Sequence, residues 1–402
     1  MAVNNPATGP CVYSPLMLLI FDSHPVQYKA PIYQRLQQLK PGAFQVIYAT
    51  DSSVRGRHDE DFGQVVAWNT PLLEGYPHQI LGNERGVPLQ GFRSLTGHGI
   101  FSLLRRERPA AVLISQFLYE FDFITYACCL LLGIPVWIRH ETEDEAFQRP
   151  AWKTALRALF YRIAYAGVNH AFSIGHLNRE HLLRHGLSSR RISSASYCSP
   201  VQVREDASIK QQWRDTLRKR LAVQPDEIAL FFSGKWIEKK NPLLLFEAFA
   251  LLSPEERNRF KLIFIGSGEL EKSLQVRAAA FPGRVHFSGF INQSEIAPYY
   301  LAADILILPS RRAGETWGLV VNEALQAGCA VIVTNSVGCH REFGDWERVR
   351  VIGDDNAKAC AEAMRELATF PRSFDWCAER MKNYSVEAAA AAIARQIDLL
   401  ET

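Results

Sequence analysis

The sequence predicts an α/β protein built from two doubly wound halves. Three observations carry this. Apolar strand-like runs without polar alternation recur along the chain, and helix-like stretches separate them. Strands of that kind, alternating with helices, imply parallel sheets covered on both faces. The 402 residues exceed one ordinary core but suit two cores of about 150–200 residues each.

Residues 16–21 (LMLLIF) read as a buried strand, 31–40 as a helix and 44–49 (FQVIYA) as a strand. A helix follows at 98–107. Strands at 111–115 (AVLIS) and 135–139 (PVWIR) flank an apolar helix at 121–132. Residues 201–227 are polar and charged, with a helix-like stretch near 207–221, and they mark a break near 200. The pattern then restarts with strand 228–233, helix 241–252, strand 261–265, helix 269–280 and strand 284–288. It closes with helix 293–301, strand 304–308, helix 317–327 and strand 329–334. The tail from 371 reads as helical, with a helix start at Tyr384-Ser385. The expected units are therefore 1–200, 201–370 and a tail at 371–402. Such folds place ligands beyond the carboxyl ends of their strands, so the loops after strands are where chemistry is expected.

Composition narrows the function. Hydrophobic residues make up 48% and charged residues 22%, which fits a globular protein and excludes wholesale disorder. A net charge of +3 is too small a surplus for a nucleic-acid coat. The eight cysteines show no C-x-x-C pair and no zinc-site spacing. They read as buried thiols of a reducing compartment, and the expected location is cytoplasmic. The first 15 residues lack the basic region of a signal peptide. The longest apolar stretch, 123–138, is interrupted by Thr125, Gly133 and Pro135, and is too short to cross a bilayer.

Three segments carry chemistry. Strand 228–233 runs into Gly234-Lys235-Trp236-Ile237-Glu238-Lys239-Lys240-Asn241-Pro242. A flexible glycine, three lysines and a helix start capped by Asn241 make a place for a diphosphate, although a solvated charge run has the same composition. No G-x-x-x-x-G-K-[ST] phosphate loop is present. Gly266-Ser267-Gly268 follows the next strand and lacks the third glycine of a dinucleotide fingerprint; a tight turn beside a cleft is expected. The third segment runs from Pro309 to Gly328, with Glu315 and Glu323 eight positions apart. If the whole span were helical, eight residues would rise about 12 Å and turn about 800°, leaving both carboxylates on one side. One carboxylate would bond hydroxyls at each end of a long ligand. The amides of Trp317, Gly318 and Leu319 would point at anions between them. Glu323 on an otherwise apolar helix needs a buried partner.

Residues 228–340 resemble the donor-binding domain of the family 4 glycosyltransferases, retaining enzymes of the GT-B fold. The resemblance rests on G-K-W-I-E-K-K-N-P, F-I-G-S-G-E-L, V-H-F-S-G-F-I, A-A-D-I-L-I-L-P-S and the Glu-x7-Glu segment with E-A-L-Q-A-G-C-A-V-I-V-T after it, all in the family's order. It implies two Rossmann-like domains facing a cleft, the first for acceptor and the second for donor, with a C-terminal helix crossing back to the first. It implies that Lys235 and Lys240 bind the donor diphosphate, with Lys235 standing where the family more often has arginine. That exchange keeps the charge and loses the bidentate fork. It implies that Glu315 contacts the transferred sugar and Glu323 the ribose. Phe290-Ile291 would flank the base, near Gly234, and Thr316 and Trp317 would neighbour the donor sugar.

The first half resembles a subgroup with H-P-[IV]-Q-Y-x-x-P after strand one, here His24-Pro25-Val26-Gln27-Tyr28-Lys29-Ala30-Pro31. His24, Gln27 and Tyr28 are then expected at the cleft. Arg139-His140-Glu141-Thr142 occupies the place of R-G-E-S in such relatives. Either His140 or Glu141 takes the cleft role, and the acidic run to Glu145 reads equally as a solvated loop. Phe62-Gly63 and Trp68 to Tyr76 are expected in an acceptor-side loop. Arg105, Arg106, Arg108, Arg157 and Arg162 would permit docking on a membrane surface, or form a solvated helix face.

The function this implies is transfer of a sugar from a uridine or guanosine diphosphate sugar to an acceptor hydroxyl, with configuration retained. The acceptor is a sugar, a lipid-linked glycan or a small molecule. No obligatory metal or other cofactor is expected, because lysines neutralise the phosphates. Asp59-Glu60-Asp61 has D-x-D spacing but sits in a polar loop, and Asp354-Asp355 falls beyond the motif block. A nucleotide-sugar epimerase, a phosphorylase of the same fold, a non-catalytic nucleotide-binding module and a nicotinamide-dependent oxidoreductase are the competing readings.

Overall fold

The computed structural model describes residues 18–54, 57–59, 64–66, 70–82, 91–200 and 206–400. In the first half the elements are β1 (Leu18–Asp22), α1 (Ala30–Leu39), β2 (Phe44–Tyr48), β3 (Arg57–Asp59), β4 (Gln64–Val66), β5 (His78–Ile80), α2 (Ile100–Glu107) and β6 (Ala111–Ile114). They continue with α3 (Glu120–Leu132), β7 (Val136–Ile138), α4 (Ala151–Ala166), β8 (His170–Ser173), α5 (His176–Arg184) and β9 (Ile192–Ser194). The second half holds α6 (Ala207–Arg220), β10 (Ile228–Ser233), α7 (Leu244–Ala250), α8 (Pro254–Asn258), β11 (Phe260–Ile265), α9 (Glu271–Ala278), β12 (Val285–Phe287) and α10 (Ala297–Ala302). Then come β13 (Ile305–Leu308), α11 (Leu319–Gln326), β14 (Ala330–Thr334), α12 (His340–Phe343), β15 (Val349–Ile352), α13 (Ala357–Leu367), α14 (Ala378–Met381) and α15 (Val386–Asp398).

Two parallel sheets result. The first runs β5-β2-β1-β6-β7-β8-β9 and the second β12-β11-β10-β13-β14-β15, while β3 and β4 form a separate antiparallel pair. The central strands of each sheet are buried on both faces, as their apolar runs require. Side chains alternate across a strand, so Leu18 and Ile20 enter one core and Leu19 and Phe21 the other. Ala229 and Phe231 likewise part from Leu230 and Phe232 in the second sheet.

The chain ends on the half it began with. Ser385 caps α15 by accepting from the Ala388 amide at 3.1 Å, a standard helix start. The helix then buries Val386, Ala389, Ala390, Ile393 and Ile397 in the first half's core, beside Ala30, Tyr33 and Leu36 of α1. Its alanines let the two helix backbones approach closely.

Several expectations change. The sequence reading leaves α4, β8, α5, β9, β15 and α13 unassigned. Helix 317–327 begins at Leu319, behind a left-handed Gly318 (φ +96°), so Glu315 lies in a loop and the helical rise does not set its distance from Glu323. The stretch Pro71 to Tyr76 is not a free acceptor loop. Leu72 and Tyr76 are core residues, and the Tyr76 hydroxyl meets that of Tyr48 at 2.8 Å. Phe62-Gly63, Trp68-Asn69, Glu60-Asp61 and Cys11 lie outside the described residues. The seven described cysteines are buried free thiols. Among the described residues no helix is long and apolar enough to cross a membrane.

Candidate active site

Each sheet has a point where strand order reverses, and ligands of such folds bind there. In the second sheet it lies between β10 and β13, in the first between β1 and β6. The lysine loop follows β10, the Glu315 loop follows β13, and His24 to Tyr28 follow β1. Topology therefore gathers three of the sequence-derived segments at facing crevices.

A cleft of about 730 Å³, open to solvent, lies between the halves. Gln27, Tyr28, Ser199 and Pro200 line it from the first half. Gly234, Gly266, Phe290, Ile291, Leu319 and Glu323 are among those lining it from the second. Gly266 has φ +130°, and a Cβ there would stand 1.9 Å from the Gly234 carbonyl oxygen. The two loops flooring the cleft can stack this closely only because that side chain is missing.

Glu323 projects from the second turn of α11 into this cleft. The Tyr300 hydroxyl donates to its Oε2 at 2.5 Å, and Gln293 Nε2 donates to Oε1 at 3.0 Å. These are the partners that a buried glutamate on an apolar helix demanded. Burial pushes its carboxyl above the usual range, and the two hydrogen bonds oppose that.

Glu315 is also buried, and Lys240 from the neighbouring loop forms an ion pair with its Oε2. Ser310 Oγ donates to the same oxygen at 3.3 Å, and Lys239 Nζ donates to the Gly314 carbonyl at 3.1 Å. Burial alone would raise the carboxyl. The Lys240 charge and hydrogen bond, with Lys239 and Ser310 behind them, outweigh it and hold Glu315 below the usual range. The pair joins the loops that follow β10 and β13, and neither residue is among the groups lining the cleft. Lys235 sits half-buried on the same loop.

The Glu315 loop is tied to the first half through its backbone. The Gly314 amide donates to the Ala146 carbonyl at 2.8 Å, and Phe147 and Ala313 form an antiparallel bridge. Gly314 has φ +91°, a left-handed conformation that favours glycine, and it lies against the Phe147 ring. Trp317 does not line the cleft. It lies beneath, packed against Tyr197, Phe343 and Tyr384, with its Nε1 donating to Asn322 Oδ1 at 2.7 Å. Asn322 Nδ2 in turn donates to the Tyr197 carbonyl at 3.2 Å. Trp317 is an interface residue between the halves rather than a donor-sugar neighbour. Thr316 precedes it, half-buried.

His140 and Glu141 stand in different surroundings. His140 is buried among aromatic rings of the first half. Its Nδ1 accepts from the Thr142 amide at 3.3 Å, and its Nε2 meets the Tyr165 hydroxyl at 2.9 Å. That hydroxyl reaches His181 Nε2 at 2.9 Å, and His181 Nδ1 reaches Asp144 Oδ1 at 2.8 Å. Burial depresses His140 to about 3 and His181 to about 4, so both are neutral relay members with their ring nitrogens taken. Glu141 instead accepts from the hydroxyl of cleft-lining Tyr28 at 3.3 Å and from that of Tyr197. Burial raises its carboxyl, while Lys29, Tyr28 and Arg139 oppose the shift. His24 Nδ1 pairs with Ser23 Oγ at 2.9 Å, and the ring is not among the cleft-lining groups.

Sequence reasoning missed Tyr300, Gln293, Tyr197, Ser199 and Pro200. Only the partner that Glu323 requires was inferable in kind. The tyrosine and glutamine supplying it lie 23 and 30 positions away.

Residues 214–394 match the family model described as Glycosyl transferases group 1. The D-inositol 3-phosphate glycosyltransferase of Streptomyces coelicolor is 29% identical over 195 residues, covering 45% of this chain and 42% of that protein. The chain spans less than half the length of the curated relatives it matches. Among solved structures, a glycosyltransferase from Rickettsia africae superposes with TM-score 0.67 at 13% identity, over 97% of this chain and 100% of that one. Anabaena Alr3699/HepE in complex with UDP-glucose superposes with TM-score 0.61 at 14% identity, over 96% and 97%. The architecture is GT-B, and residues 214–394 are similar to the group 1 glycosyl transferases.

Proposed function

We propose that this protein is a retaining glycosyltransferase that takes a sugar from a nucleoside diphosphate donor to an acceptor hydroxyl. The observation that carries the reading is the Lys240–Glu315 pair joining the loops after β10 and β13, where strand order reverses, with the buried, hydrogen-bonded Glu323 on the helix that follows. The apolar wall of Ile265, Phe290, Ile291 and Leu319 suits a flat base. Glu323, held by Tyr300 and Gln293, accepts from the ribose hydroxyls. Gly234, Lys235, Lys240 and the amides opening α11 at Gly318 and Leu319 take the diphosphate. Glu315 accepts from hydroxyls of the sugar being moved. Gln27, Tyr28 and Glu141 face this assembly from the acceptor side. The H-P-V-Q-Y loop that supplies two of them supports membership of the corresponding subgroup.

The bond that breaks joins the anomeric carbon to the diphosphate oxygen, which leaves with the electron pair. The acceptor oxygen bonds to the same face of that carbon, and its proton passes to the departing phosphate. Leaving of the diphosphate is the hard step. Fixed cations and amides preorganised for its charge stabilise that transition state, each worth about 3–4 kcal/mol in comparable sites. With lysines in that role, the transfer needs no metal ion, and the expected location of the enzyme is cytoplasmic.

Incubation with a panel of nucleotide sugars, following free nucleoside diphosphate, tests the reading. Release that depends on an added acceptor and persists in excess chelator is expected. Lys240→Ala lowers turnover by roughly 100-fold or more while the protein stays folded. Near-normal turnover in that variant sinks the assignment, donor turnover without acceptor points to an epimerase, and a requirement for inorganic phosphate points to a phosphorylase.

A further inference from the structure

Helix α4 is amphipathic in the wrong sense for a globular surface. At 100° per residue, Trp152, Leu156, Leu159, Phe160 and Ile163 fall on one stripe about 100° wide. That stripe faces outward, and these five side chains are 40–67% exposed. The polar side faces in. Arg157 donates to Asp144 and to the Glu143 carbonyl, Tyr161 packs edge-on against His181, and Tyr165 bridges His140 and His181. The helix has given its polar face to a buried network and kept its apolar face for something outside the chain. The patch does not stop at the helix. The Phe160 ring touches Phe123 at 6.0 Å, which touches half-exposed Phe92 at 5.5 Å.

The charges say what that something is. The helix carries Lys153, Arg157 and Arg162 and no acidic residue. With Arg157 turned inward, Lys153 and Arg162 flank the stripe on its two sides, and both are exposed. A second copy pairing stripe to stripe would bring these cations against their own counterparts with no acid to offset them. An anionic bilayer satisfies both features, since the apolar stripe enters the acyl boundary and the flanking cations meet headgroups.

We infer that α4 is a membrane-docking helix that seats the first half on an anionic lipid surface through Trp152, Leu156, Leu159, Phe160 and Ile163. Its place in the chain gives the docking a purpose. The loop entering α4 contains Ala146 and Phe147, which touch Gly314 and Ala313 beside Glu315. Docking therefore sets the cleft mouth next to the lipid.

Cosedimentation of the full chain with vesicles tests this without any catalytic readout, so it stands or falls apart from the transferase reading. With equal parts phosphatidylcholine and phosphatidylglycerol the protein pellets with the vesicles, and with phosphatidylcholine alone it binds far less. Leu156→Glu with Ile163→Glu weakens binding by roughly tenfold or more. Lys153→Gln and Arg162→Gln, which leave the stripe intact, each weaken it by roughly fivefold. Circular dichroism of the variants matches the wild type. Wild-type protein that stays in the supernatant with the anionic vesicles overturns the inference, and so does binding that survives the paired glutamates. A dimer in light scattering that the same glutamates dissolve also overturns it, in favour of a second copy.

Discussion

Glu315 and Glu323 are two carboxylates eight positions apart that the fold treats in opposite ways. Both are buried. Glu315 is given a cation and driven below the usual range, while Glu323 is given two neutral donors and driven above it. The first is favoured in its charged form by its lysine, and the second offsets its burial with fixed hydrogen bonds. Tyr300→Phe removes the donor at 2.5 Å and leaves Gln293 alone. Loss of a hydrogen bond to a charged group costs about 1.5–3 kcal/mol, so affinity for a free nucleoside diphosphate falls by roughly tenfold or more, read by calorimetry. Unchanged affinity there would remove Glu323 from the binding site. The two glutamates were legible in the sequence because a short motif holds them. Tyr300 was not, because only folding brings α10 under α11. His140 shows the opposite failure. Its position after a strand suggested the cleft, but a side chain's direction is decided by neighbours such as Tyr165 and His181, which no local pattern announces.

Helices and strands were legible where their apolar residues face the core. The run of β13 is apolar and buried throughout, and those of β1 and β10 are apolar up to a last buried polar residue, Asp22 and Ser233, so their positions follow from composition alone. β8 escaped because its buried stretch is His170-Ala171-Phe172-Ser173, half of it polar. α4 escaped because its apolar stripe is the exposed one. At α3 an acid performs a structural task. Asp122 Oδ2 accepts from the Leu118 and Tyr119 amides at 3.0 and 2.9 Å, closing the helix start. Burial pushes this carboxyl up to about 7, against the two amide bonds. Its folded value exceeds its unfolded one, so between about pH 4 and 7 the folded state binds the extra proton. Its contribution to stability therefore falls as pH rises through that window. Asp122→Asn keeps an acceptor for the amides and cannot titrate, so its stability slope between pH 5 and 8 is flatter in denaturant titrations. An identical slope in both proteins would assign the pH dependence elsewhere.

At the scale of the molecule, the two doubly wound halves were readable from the restart of the strand pattern. The return of the last helix was not readable from the residues, since nothing local to α15 names α1 as its partner. That return makes the first core depend on the chain's final residues. Ala390 is fully buried there, and Ala390→Leu forces extra volume between α15 and the first sheet. Overpacking of this kind costs about 1–3 kcal/mol, so the melting temperature falls although the substitution lies more than 180 residues beyond the first sheet's last strand. An unchanged melting curve would mean that α15 is only loosely seated. The backbone link from Ala146 and Phe147 to Gly314 and Ala313 has a consequence of its own. The halves are stitched a second time beside Glu323, where Asn322 Nδ2 and Gln326 Nε2 donate to the Tyr197 and Ser199 carbonyls at 3.2 and 3.0 Å. Any rocking of one half against the other therefore pulls on the segments that carry both glutamates.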